Sequence, residues 1–132
     1  MRIDVTTVYV DDQAKALKFY TEILGFVKKK DVPTGGPARL LTVISPDGHD
    51  DVELNLEPND YPAFRQFQAS NYKEGLSAAT FAVDDVEAEY QRLKTLGVKF
   101  TREPTKEEWG SYAIFDDTCG NLIGIHNWEG LE

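Results

Sequence analysis

VYVDDQAKALKFYTEILGF (residues 8–26) and FAVDDVEAEYQRLKTLGV (residues 81–98) are two copies of one pattern. Asp11-Asp12 match Asp84-Asp85 at an offset of 73, and Gly25 matches Gly97 at an offset of 72. In each copy a β-branched and aromatic run ends in a pair of aspartates. A carboxylate there can cap a helix by accepting from its unpaired N–H groups. Apolar residues then recur at helical spacing: Ala16, Leu17, Tyr20, Ile23 and Leu24 in the first copy, Val86, Tyr90, Leu93 and Leu96 in the second. A glycine closes each run, as the left-handed stop of a helix requires.

The repeat extends further. LLTVISPDG (40–48) matches AIFDDTCG (113–120) at about the same offset. Strands are expected at Val5–Val10, Phe26–Lys30, Leu40–Ile44 and Val52–Leu56, and again at Lys99–Arg102, Tyr112–Phe115 and Leu122–His126, with glycine-bearing turns before the last strand of each half. Residues 57–75 join the halves, interrupted by Pro58 and Pro62, with a short helix packed by Phe64 and Phe67. The expected fold class is α+β: two βαβββ modules, 1–56 and 76–128, with linker 57–75. They form a cup-shaped mixed sheet with helices on the outside, within a single domain covering 1–132.

Composition narrows the function classes. The chain has 132 residues and a net charge of −9, with Lys28-Lys29-Lys30 as its only basic run. Nucleic acid is therefore not an expected partner. The Lys run reads as a strand edge that discourages pairing. No apolar run approaches the length of a membrane span, so no membrane partner is expected. The opening MRIDVTTVYVDD alternates like a strand and lacks a signal-peptide pattern. One cysteine, Cys119, fits a reducing compartment, so a cytoplasmic location is expected. Cys119 matches no nucleophile motif and reads as structural.

These segments, together with EEWGSYAIFDD (107–117) and DTCGNLIGI (117–125), resemble the vicinal oxygen chelate superfamily of glyoxalase, bleomycin-resistance and dioxygenase proteins, from about Ile3 to about His126. The resemblance implies four metal-ligand positions, two per module. They fall on Val5, Glu53, Ala78 and Gly124. Only Glu53 has a side chain able to donate, so no metal and no cofactor are expected. Thr118 stands where the family pattern has proline, and Gly124 where it has glutamate.

The remaining candidates are read from strand alternation. Val8, Val10, Phe81 and Val83 should face the helices, and Val5, Thr7, Tyr9, Ala78, Thr80 and Ala82 the cavity. Glu53 is a candidate acid–base carboxylate, with a raised pKa if desolvated; the plainer reading is a structural hydrogen-bonded one. His126 shares Gly124's face, and with Glu53 and Asn55 it could form a cluster at one end of the cavity. His126 could equally leave the strand and bond to backbone or water. His49, in PDGHDD, reads as a solvated turn. Tyr9, Trp109 and Tyr112 are candidate aromatic walls of a ligand site, though core or interface packing would explain Trp109 and Tyr112 as well; Trp128 reads as interface or lid.

Three functions follow. The first is a metal-free, homodimeric binding protein for a small organic ligand, aromatic or antibiotic-like, as the resembling resistance proteins are. The second is an enzyme (lyase, isomerase or dioxygenase-like) that uses Glu53 with or without His126, or a reduced metal site. The third is a degenerate module that binds another protein.

Overall fold

The computed structural model describes residues 1–129. The chain divides into two compact units, Met1–Phe67 and Gln68 onward. In the first, β1 (Val5–Val10) leads into α1 (Gln13–Lys18), which tightens into a π-helical turn over Phe19–Ile23. Strands β2 (Val27–Pro33), β3 (Arg39–Ile44) and β4 (Glu53–Pro58) follow. The sheet order is β1-β4-β3-β2; β1 runs parallel to β4, and the other neighbours are antiparallel.

The second unit repeats this order with β5 (Ser77–Ala82), α3 (Val86–Thr95), β6 (Phe100–Glu107), β7 (Gly110–Asp116) and β8 (Leu122–Trp128). Its sheet order is β5-β8-β7-β6, again with the first and last strands parallel. The repeated aspartates work the same way in both units. Asp12 accepts from the Lys15 N–H and Asp85 from the Ala88 N–H, each at 3.0 Å. Gly25 and Gly97 then take φ of 90° and 89°, a backbone region that costs an L side chain energy.

Each sheet buries one face against its helix. Val8, Val10, Leu41, Val43, Leu54 and Leu56 join Ala16 and Tyr20 in the first core. In the second, Ala113, Phe115, Ile123 and Ile125 join Val86, Tyr90 and Leu93. Gln13 ties α1 to its sheet, donating to the Arg39 and Leu56 carbonyls at 2.8 and 2.9 Å.

The joining segment differs from expectation. Its helix, α2, runs Pro62–Lys73, twelve residues, with Pro62 as its first residue, where a missing N–H costs nothing. Phe64 stacks on Tyr9 at 4.2 Å, but Phe67 is 58% exposed. The helix instead buries Gln68. Its amide donates to the Cys119 carbonyl at 3.1 Å and to Asn121 Oδ1 at 3.2 Å. Tyr72 donates to Asp116 Oδ2 at 2.5 Å.

Strand β6 also outruns the expected Lys99–Arg102. Pro104 and a run of charged residues hide it from pattern reading, yet both suit an edge strand, and the register shifts between Arg102 and Thr105 absorb the proline.

Candidate functional site

The face of the second sheet that looks away from α3 carries a concavity of about 470 Å³. Alternation explains its composition. On β8, Ile123 and Ile125 point into the core, so Gly124 and His126 lie on the other face. On β7 the same parity turns Tyr112 and Ile114 toward it, and β5 contributes Ser77 and Thr80. Trp109 and Trp128, with Ala113 and Ile125 from the strands themselves, complete the lining.

Trp109 occupies the tip of the β6–β7 hairpin, since Glu107 pairs with Gly110. Gly110 has φ of 141°, and a Cβ there would sit 1.9 Å from the Asn127 carbonyl oxygen. Only glycine lets the hairpin tip close onto β8. The Glu129 N–H donates to the Trp109 carbonyl at 2.6 Å, which fixes the tip further. The rings then form a chain. Trp109 stacks on Tyr112 with centroids 5.6 Å apart, Trp128 lies 5.5 Å from Trp109, and His126 meets Trp128 edge-on at 4.3 Å. Such geometries add about 1 kcal/mol per pair beyond burial, so the walls hold one another in place.

Gly124 forms the floor. A Cβ there would lie 3.1 Å from Thr80 Oγ1 and 3.4 Å from Ser77 Oγ. The residue opposite it is thus Thr80, not Ala78. A register shift between Ser77 and Ala79 moves the partner along β5, an irregularity that a fixed repeat offset cannot anticipate. His126 is 7% exposed, and its Nδ1 is buried without a hydrogen-bond partner among the described residues. Burial pushes its pKa below the usual imidazole range, so the ring is neutral at pH 7.

Glu53 has its partners in the first unit. It is 4% exposed and pairs across β1–β4 with Val5. Lys30 Nζ donates to its Oε2 at 2.9 Å and Thr42 Oγ1 to its Oε1 at 2.7 Å. The bond from Lys30, then that from Thr42, hold its carboxyl below the ordinary range and outweigh desolvation. The raised pKa considered for an acid–base role is therefore corrected to a lowered one. An ion-paired carboxylate is a weak base. Lys30 is correspondingly more than a strand-edge charge. Asn55 donates to Glu57 Oε2 at 3.1 Å and to Thr7 Oγ1 at 3.5 Å.

Tyr9 is stacked on Phe64, with ring centroids 4.2 Å apart. The second unit thus brings Trp109, Tyr112 and His126 together with Trp128, while Tyr9, Glu53 and Asn55 belong to the first unit. The family's metal does not fit these residues. Among the described residues no group of three or more His, Cys, Asp and Glu side chains is placed to hold a metal ion. Gly124, Val5 and the hydroxyls of Thr80 and Ser77 supply no strong donor.

Residues 2–125 match the profile of the Glyoxalase/Bleomycin resistance protein/Dioxygenase superfamily. The chain belongs to this superfamily. It is 54% identical to the Bacillus subtilis (strain 168) protein YurT over 125 residues, covering 95% of this chain and 98% of that one. Among solved structures it is similar to UcmS2, with a TM-score of 0.82 and 33% identity, covering 96% and 98% of the two chains. It is also similar to TnmS3, an antibiotic binding protein from Streptomyces sp. CB03234, with a TM-score of 0.78 and 30% identity over 98% and 97%. The superfamily's shared segment DTCGN has a visible structural purpose in this member. Asp117 is fully buried and accepts from the Cys119 and Asn121 N–H groups at 2.7 and 3.0 Å and from the Asn121 amide at 2.8 Å. That network shapes the turn into β8 and so sets the position of Gly124 and His126. Ser77, Thr80 and Trp128 were not singled out as ligand contacts by sequence reasoning; a glycine where the pattern has glutamate was the available signal that space opens on this face.

Proposed function

We propose that this superfamily member is a metal-free binding protein that holds a small aromatic or antibiotic-like compound in the concavity of its second module. The observation that carries the reading is the chain of rings, Trp109, Tyr112, Trp128 and His126, around a floor of Gly124 with Thr80 and Ser77 packed against it. Aromatic walls with a few polar groups suit a planar ligand, and a volume of about 470 Å³ is in the range of small-molecule sites. The similarity to TnmS3, an antibiotic binding protein, supports the same reading. The acid–base alternative has less support, because Glu53 is tied up by Lys30 and Thr42.

The reading includes a homodimer in the cytoplasm. Val5, Val27 and Val32 of the first module are about half exposed and give a second copy apolar surface to cover. No helix among the described residues is long and apolar enough to cross a membrane.

The chain has two tryptophans, and both line the concavity. Titration with a panel of aromatic compounds should therefore quench intrinsic fluorescence saturably. A panel that binds without perturbing either tryptophan would place the ligand elsewhere and defeat the proposal.

A further inference from the structure

The described side chains that line the concavity share one property: none carries a formal charge. The polar ones are the hydroxyls of Ser77, Thr80 and Tyr112, the indole N–H groups, and the imidazole of His126. Arg102 stands outside the lining, its guanidinium 5.7 Å from the Tyr112 ring centroid, and Glu129, after β8, is exposed. An anionic ligand group entering here would lose its hydration with no cationic side chain among the described lining residues to replace it. A hydroxyl would be matched by uncharged partners. His126 is more than nine-tenths buried, lines the concavity and leaves Nδ1 unpartnered, a vacancy of the kind that ligands and waters complete.

Resting on the binding function proposed above, we infer that the site is selective for uncharged planar aromatics bearing a hydroxyl, and that His126 and Thr80 determine this selectivity. A sulfonate or carboxylate in the same place is rejected by desolvation. A carboxylate at position 124 would put an anion on the floor of the concavity, whereas glycine beside the hydroxyls of Thr80 and Ser77 keeps it neutral.

Calorimetric titration of the full chain at pH 7.5 with four probes of one ring system tests this: naphthalene, 2-naphthol, 2-naphthalenesulfonate and 2-naphthoate. The expected order has 2-naphthol tightest, about tenfold over each charged probe. His126→Phe preserves an aromatic edge toward Trp128. It should reduce the preference for 2-naphthol over naphthalene about threefold while naphthalene affinity holds. Thr80→Val provides the same readout should the first variant fold poorly. Charged probes that bind as tightly as 2-naphthol overturn the selectivity and leave the binding function standing. An unchanged naphthol preference in both folded variants overturns the assignment to His126 and Thr80. Absence of binding by all four probes, with no tryptophan quenching, defeats the binding function and this inference together.

Discussion

His126 gives the protein a pH signature. Burial lowers its folded-state pKa below the ordinary value of 6.5. Above that value both the folded and unfolded imidazole are neutral and the residue costs nothing. As pH falls below it the unfolded chain takes up a proton that the folded chain resists, so stability declines until the folded pKa is reached. Urea midpoints measured from pH 7.5 down to 5 should fall, and His126→Phe should flatten that part of the curve. Glu53 acts further into acid. Its folded pKa is depressed, so its stabilisation is present above the unfolded carboxylate range and lost as pH drops through the folded value. Glu53→Gln should remove that lower segment and leave the His126 segment intact. Thr118 is a third informative residue. It takes φ of 64°, a left-handed conformation that a β-branched side chain adopts at a cost. Thr118→Asn should raise stability by about 1 kcal/mol, read as an increase in melting temperature.

Two elements set the shape of the site. The β6–β7 hairpin carries Trp109 at its tip and closes only because Gly110 has no Cβ. Gly110→Ala should force the tip off β8, costing about 3 kcal/mol or more and shifting the tryptophan emission as Trp109 and Trp128 separate. The turn before β8 depends on Asp117, which satisfies three donors inside the protein. Asp117→Ala removes the acceptor of these three buried hydrogen bonds, an expected loss of about 3 kcal/mol in chemical unfolding. These elements were unequally legible. Both helices, with their caps and stops, follow from local signals, because capping and positive φ are settled within a few residues. The length of β6 and the helix after Pro62 are settled by partners distant in sequence, such as Tyr112 across the hairpin and Cys119 and Asn121 beneath Gln68.

At the scale of the molecule, duplication leaves two modules of one topology with different outward chemistry. The first places an ion pair between buried Glu53 and exposed Lys30 beside Thr42; the second places rings around a glycine. The proposed homodimer should appear at about twice the chain mass in light scattering, and Val5→Lys with Val27→Lys should shift it toward monomer. Sequence alone determined the two βαβββ repeats, their helix boundaries and the loss of the metal ligands, since these depend on short-range pattern and on which side chains can donate. It also offered His126 as a candidate, since strand parity gives it Gly124's face, and Trp109 and Tyr112 as aromatics flanking a strand. Tertiary structure decided the rest. It seated Tyr9 on Phe64, gave Glu53 a low pKa through Lys30 from another strand, and put Thr80 opposite Gly124. A register shift, an ion pair between strands and a ring stack on a helix join residues far apart in the chain, and one-dimensional spacing carries no record of those distances.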